Sequence, residues 1–239
     1  MAAAPASAAS TGGVVAGGEA PSGSTSTPAK PTTTAPAVPH APITARSSSL
    51  AYTGPVYEKT ASGEVVPYAP PAPIGQISSA TGGSGASGAA ANTKPLLLVP
   101  GSRARYINGL AAAPMGAPVV VQQIIWTANE IIGLPYIFGG GHASFSAPGY
   151  DCSGTVSFAL HGGSLLTTPE DSSEFETYGS HGVGRWVTVF ANPGHAYVDV
   201  AGLRLDTSSA DDPSNQQGPR WRPLRRANGG YVIRHPRGY

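Results

Sequence analysis

Cys152 is the only cysteine among 239 residues, and it stands in the string Tyr150-Asp151-Cys152-Ser153-Gly154. A thiol can serve as a nucleophile, a metal ligand or a small buried hydrophobe, and its neighbours decide among these roles. A single cysteine excludes an internal disulfide framework and any cysteine-rich zinc site. A glycine-rich turn, Phe138-Gly139-Gly140-Gly141-His142, precedes it, and an apolar run from Thr155 to Leu160 follows. That order predicts a helix opening at Cys152 with Asp151 as its N-cap. A thiol at a helix N-terminus is biased toward thiolate, and the backbone N–H groups there can hold an oxyanion.

A base for this thiol is found further along the chain. Residues 195–206 alternate in polarity around Ala201-Gly202, which reads as a two-residue hairpin turn. In that register Val200 faces Leu203, Asp199 faces Arg204, Val198 faces Leu205 and Tyr197 faces Asp206. One face is then Val198, Val200, Leu203 and Leu205, all apolar, and the other carries His195, Tyr197, Asp199, Arg204 and Asp206. A slip of one residue would mix the two sets, so the pattern specifies the register. Asp199 and Arg204 are expected to form an opposite-charge cross-strand pair. His195 and Asp206 share the polar face at diagonal positions, roughly 7–8 Å apart at Cα. A carboxylate at that place fixes the imidazole tautomer and leaves the other ring nitrogen for a thiol. Cysteine, histidine and an orienting acid form the set that nucleophilic acyl transfer requires.

The other candidates point to nothing comparable. His142 reads as a loop residue beside the glycines. His161, His181 and His235 share no spacing with carboxylates, so no metal site is expected. Gly139 to Gly141 do not form a phosphate loop, because no Lys-Ser/Thr pair follows.

The elements that must position these residues come next. Val121, Ile124, Ile125, Ala128, Ile131 and Ile132 recur at helical spacing between Pro118 and Gly133, which predicts an amphipathic helix. The helix opening at Cys152 should end at Gly162-Gly163, and a short third helix is expected near Pro169 with Thr168 as its cap. Beyond Gly184 the period changes to two, with strands expected over 185–191, 195–200, 203–208 and 231–234. Helices followed by strands predict an α+β domain with an antiparallel sheet packed against helices, over residues 118–239. Leu96-Leu97-Leu98-Val99 begins a partly ordered lead-in segment, 96–117, as a strand or docking piece. Residues 1–95 are rich in Ala, Pro, Ser, Thr and Gly. They read as a disordered linker, with Tyr52–Val56 and Gly63–Tyr68 as transient strands at most, because so little bulky apolar surface cannot offset backbone entropy. The formal net charge of +1 gives no reason to expect a nucleic-acid partner. No apolar run approaches the ~18–20 residues of a membrane span. The first residues lack the basic and apolar regions of a signal peptide, and a Ser/Thr/Pro-rich stalk suits an exported protein from which the leader is missing.

Three strings together, Pro135-Tyr136-Ile137-Phe138-Gly139-Gly140, Tyr150-Asp151-Cys152-Ser153-Gly154 and Gly194-His195-Ala196-Tyr197-Val198, resemble the NlpC/P60 cysteine peptidases. The resemblance spans about residues 118–239. It implies a papain-like fold and a secreted or wall-associated enzyme that cleaves the peptide stems of peptidoglycan. By the same resemblance Cys152 is the nucleophile, His195 the general base, and Tyr136 the tyrosine beside the nucleophile. Many members carry a second histidine in the third role, about a dozen residues after the first; here Leu205-Asp206-Thr207 occupies that zone, and Asp206 is assigned to it. Tyr136, Asp151 and Ser153 are the candidate substrate-contacting residues, although helix capping alone accounts for Asp151. No cofactor or metal is expected, and the chain is expected to act as a monomer. Transfer of the acyl group to an amine or alcohol, and a non-catalytic wall-binding role, remain open alternatives. The basic segment Arg220-Trp221-Arg222-Pro223, with Arg225 and Arg226, reads as a solvated surface loop or as a contact for anionic wall polymer.

Overall fold

Helix α1 spans Val119–Ile131 and buries Val121, Ile124, Ile125, Ala128 and Ile131, the stripe expected from their spacing. Pro118 stands at its N-cap, where its missing N–H removes no helical hydrogen bond. Lys94 closes the other end, its Nζ donating to the carbonyls of Asn129 at 2.7 Å and Ile132 at 2.6 Å. Helix α2, Cys152–Gly162, opens on the thiol residue itself, and the Asp151 side chain accepts the Gly154 N–H at 2.8 Å. The computed structural model describes residues 52–70 and 94–239.

Two sheets accompany these helices, and the architecture is α+β. The smaller sheet comprises β1 (Tyr57–Lys59), β2 (Val65–Pro67), β3 (Leu96–Val99), β4 (Arg105–Ile107) and β5 (Leu110–Pro114), in the order β2-β1-β3-β5-β4. Its β3–β5 pair is parallel and its other pairs are antiparallel. Residues 57–67, inside the range read as linker, thus form a hairpin that pairs along β3. Strands of three residues have too little apolar surface to stand alone. Here Tyr57 packs against the main core, and Lys59 Nζ lies 5.7 Å from the Trp126 ring centroid on α1. Of the range read as linker, residues 1–51 and 71–93 lie outside the described residues. In the lead-in segment, Ala111, Ala112 and Ala113 are wholly buried, and the Asn129 amide pairs with both the N–H and the C=O of Ala111.

The larger sheet contains β6 (Ser180–His181), β7 (Val187–Asn192), β8 (His195–Val200), β9 (Leu203–Asp206), β10 (Arg220–Arg222) and β11 (Val232–His235). Its order is β10-β9-β8-β7-β11-β6, with antiparallel pairing throughout. The β8–β9 hairpin has the register expected from its alternation, Val198 on Leu205, Asp199 on Arg204 and Val200 on Leu203. Its apolar face joins Val187, Val189, Ala191 and Trp221 with the buried stripes of α1 and α2 in one core.

Two sequence expectations differ from the structure here. The helix expected near Pro169 is a single 3-10 turn, Glu174–Thr177. Asp171 Oδ1 accepts the N–H groups of Ser173 and Glu174, so the acid starts the turn and Thr168 does not. The segment read as a basic surface loop is edge strand β10. Its Trp221 donates to Asn129 Oδ1 at 2.8 Å, and Arg222 is fully buried.

Candidate active site

The turn before the thiol is tied to the start of α2. The Asp151 carboxylate accepts the N–H groups of Gly139 at 3.0 Å and Gly154 at 2.8 Å. It also meets His142 Nε2 at 2.9–3.0 Å. Ser153 Oγ lies 3.1 Å from the same imidazole nitrogen. Backbones approach closely here: a Cβ built on Gly154 would lie 2.0 Å from the Gly140 carbonyl oxygen, so only glycine fits. His142, read from sequence as a plain loop residue, is thus a pin between the turn and the helix. Asp151 and Ser153 are both buried, and their polar atoms are occupied within the protein. Of the three substrate-contacting candidates only Tyr136, 46% exposed, opens to solvent.

His195 begins β8, and Asp206 ends β9 beside it. Imidazole Nε2 lies 2.9 Å from Asp206 Oδ1, which also accepts the Ser208 N–H at 2.8 Å. Asp206 is buried, whereas His195 keeps a partly open edge. The ring nitrogen left over, Nδ1, is the one available to the thiol, and Cys152 lies close enough to His195 and the Ala196 N–H for both to favour its thiolate. Of the three residues that the sequence singled out, His195 and Asp206 are hydrogen-bonded and Cys152 is electrostatically coupled to His195, along the line Cys152–His195–Asp206.

The electrostatics favour charge separation within that line. Burial pushes the Cys152 thiol up, but the His195 hydrogen bond, the Ala196 N–H and the imidazole charge outweigh it, and the thiol ends below its ordinary value. Burial likewise pushes the His195 imidazolium down, but Asp206 and Cys152 outweigh it and carry it up to about 9. Both partners thus shift in the direction that stabilises a thiolate–imidazolium pair. The Tyr136 phenol is held protonated by partial burial and by the charges of Cys152 and Asp151.

The polar face of the hairpin is covered, not solvated. Tyr197 is fully buried, stacks on Phe190 with ring centroids 4.7 Å apart and donates to Asn228 Oδ1 at 2.7 Å. Tyr231 stands edge-on to both His195 and Tyr197, with Arg225 against the Tyr197 and Tyr231 rings. Apart from Phe190 on β7, these covering residues come from the chain after β10, and no local pattern announces them. Asp199 does face Arg204 across the ladder, yet the expected pair does not form. The Arg204 guanidinium turns to Asp206 instead, at 3.3 Å, and Asp199 Oδ1 is buried without a hydrogen bond. Burial, only partly opposed by Arg204, pushes the Asp199 carboxyl up to about 8.

Tyr136, Ile137 and Phe138 form an exposed apolar lip at the turn, with Phe138 88% accessible. A separate groove of about 770 Å³, lined by Tyr52, Tyr68 and Tyr106 among others, lies on the smaller sheet and includes none of the three residues of the thiol line. Chemistry, not cavity depth, locates the candidate site. Among the described residues no group of three His, Cys, Asp or Glu side chains is placed to hold a metal ion, and no helix is long and apolar enough to cross a membrane. No protein-family model matches the chain, and no curated protein matches it significantly.

Proposed function

We propose that this chain is a thiol hydrolase that cuts peptide bonds in the stem peptides of peptidoglycan, with residues 118–239 as a papain-like domain of the NlpC/P60 type. The observation that carries the reading is the 2.9 Å bond from His195 Nε2 to Asp206, which leaves the other imidazole nitrogen for Cys152. The substrate class, a location outside the membrane and action as a monomer rest on the resemblance of the Tyr136, Cys152 and His195 strings to that family.

In this mechanism the Cys152 thiolate attacks the scissile carbonyl carbon and forms a C–S bond, while the carbonyl electron pair moves to oxygen. The Gly154 N–H is taken by Asp151, so the Cys152 and Ser153 N–H groups at the start of α2 are the ones that can hold that oxyanion. Collapse breaks the C–N bond, and His195 gives its Nδ1 proton to the leaving amine. Water then attacks the thioester with His195 taking its proton, which releases the acid and returns the thiol. Asp206 holds the ring throughout and balances the imidazolium charge.

Digestion of purified peptidoglycan by the wild type and by Cys152→Ala, followed by mass spectrometry of the soluble muropeptides, tests the proposal. New hydrolytic fragments are expected from the wild type alone. The same fragments from both proteins, or from neither, would overturn it.

A further inference from the structure

The larger sheet contains an arrangement that ladder packing alone does not explain. Arg204 on β9 and Arg222 on β10 stand directly opposite each other, and both are fully buried. Like charges placed opposite in a ladder destabilise it, and apolar residues of similar volume would serve a buried site at least as well. Such breaches of a local rule concentrate at functional sites.

The two arginines differ in what they hold. Arg222 mainly binds the loop that connects the strands: Nε donates to the Asp206 carbonyl at 3.0 Å, and Nη2 donates to the carbonyls of Gln216 at 2.6 Å and Gly218 at 3.3 Å. It also pairs with Asp212. Arg204 reaches the Ala210 carbonyl and the Asp206 carboxylate, where Nη1 lies 3.3 Å from Oδ2. That contact is an ion pair and not an aligned hydrogen bond. Oδ1 of the same carboxylate is taken twice, by His195 and by the Ser208 N–H, whereas Oδ2 has no hydrogen bond and meets only this guanidinium. Arg204 also passes over Asp199, its cross-strand partner, to reach Asp206.

We propose that Arg204 is a positioning residue of the thiol centre, which holds the Asp206 carboxylate turned so that Oδ1 meets His195. It acts through Asp206. The inference rests on the reading of Cys152 as the nucleophile of that line.

The test uses the full chain and follows the rate of Cys152 alkylation by iodoacetamide against pH, with thermal unfolding in parallel. Without Arg204 the Asp206 carboxylate no longer holds His195 in place and the imidazolium supports the thiolate less, so in Arg204→Met the alkylation midpoint should move up by about one pH unit, a rate roughly tenfold lower at pH 6. Arg204→Lys should recover part of that loss. The double variant Arg204→Met/Asp206→Asn should react no more slowly than Asp206→Asn alone, because one residue acts through the other. A midpoint that stays put in folded Arg204→Met, or losses that multiply in the double variant, would overturn the proposal. Should Arg204→Met fail to fold, Arg204→Lys is compared in the wild-type and Asp206→Asn backgrounds. A midpoint shift seen only with Asp206 present supports positioning, and an equal shift in both overturns it. A wild-type Cys152 no more reactive at pH 6 than a free thiol would instead overturn the nucleophile reading itself.

Discussion

Replacing Asp206 by Asn removes the charge that stabilises the imidazolium while keeping an oxygen that can accept from His195. The rise of His195 from 6.5 to about 9 corresponds to roughly 3 kcal/mol in favour of its protonated form. Asp206 and Cys152 share that effect, against the opposing effect of burial. Loss of the Asp206 charge should therefore remove about half of it, and the alkaline limb of stem-peptide hydrolysis should fall from about 9 by a little over one pH unit. The direction follows from the role of the proton: above the imidazole pKa no acid remains to protonate the leaving amine. The acid limb should move the opposite way, because a weaker imidazolium supports the thiolate less. The assay is kcat/KM on a soluble stem peptide across pH 5–10, with unfolding temperature measured beside it. The second measurement matters because the substitution leaves Arg204 buried without its anion, a change that costs about 3–5 kcal/mol in comparable sites. An alkaline limb that does not move in the folded variant would refute the assignment of Asp206 to the third role.

Three further outcomes follow from the same geometry. Asp151→Ala removes the α2 cap and leaves the Gly139 and Gly154 N–H groups without their acceptor; stability should fall by about 1–2 kcal/mol in denaturant unfolding, and an unchanged midpoint would contradict the clamp. Gly154→Ala should unfold at clearly lower temperature because its Cβ meets the Gly140 carbonyl at 2.0 Å, whereas Gly229→Ala, with nothing within 4 Å, should not; equal behaviour would refute the close approach. Asp199 is a carboxyl raised to about 8 in the fold, so between about pH 4 and 8 the folded chain keeps a proton that the unfolded chain has lost, and its burial weakens stability as pH rises. Asp199→Asn should therefore be near neutral at pH 4 and stabilising by several kcal/mol at pH 8, and a gain independent of pH would contradict the unpaired burial.

The parts legible in the sequence are those whose information is local. The α1 stripe and the β8–β9 register follow from strict periods of 3.6 and 2, and the second of these aligns His195 with Asp206. The unread parts depend on partners distant in sequence. The β1–β2 hairpin is too short to announce itself and is held along β3. Ala111 to Ala113 have no strand preference, and the Asn129 amide from α1 pins the first of them. Arg220-Trp221-Arg222 reads as solvated because of its charges, yet Arg222 is buried against carbonyls of the preceding loop and Trp221 against Asn129. The cross-strand rule placed Asp199 opposite Arg204 but did not foresee that a guanidinium within reach of two carboxylates would choose the one that holds a histidine.

The central claim is that Cys152 forms a covalent bond with a stem peptide, and intact-mass spectrometry of acid-quenched reactions measures it directly. The wild-type chain, mixed with a soluble stem peptide and quenched within the first turnover, should gain the mass of the acyl fragment, with the adduct on the peptide containing Cys152. Stem-peptide cleavage by the wild type with no adduct at Cys152, together with undiminished cleavage by Cys152→Ala, would contradict the account.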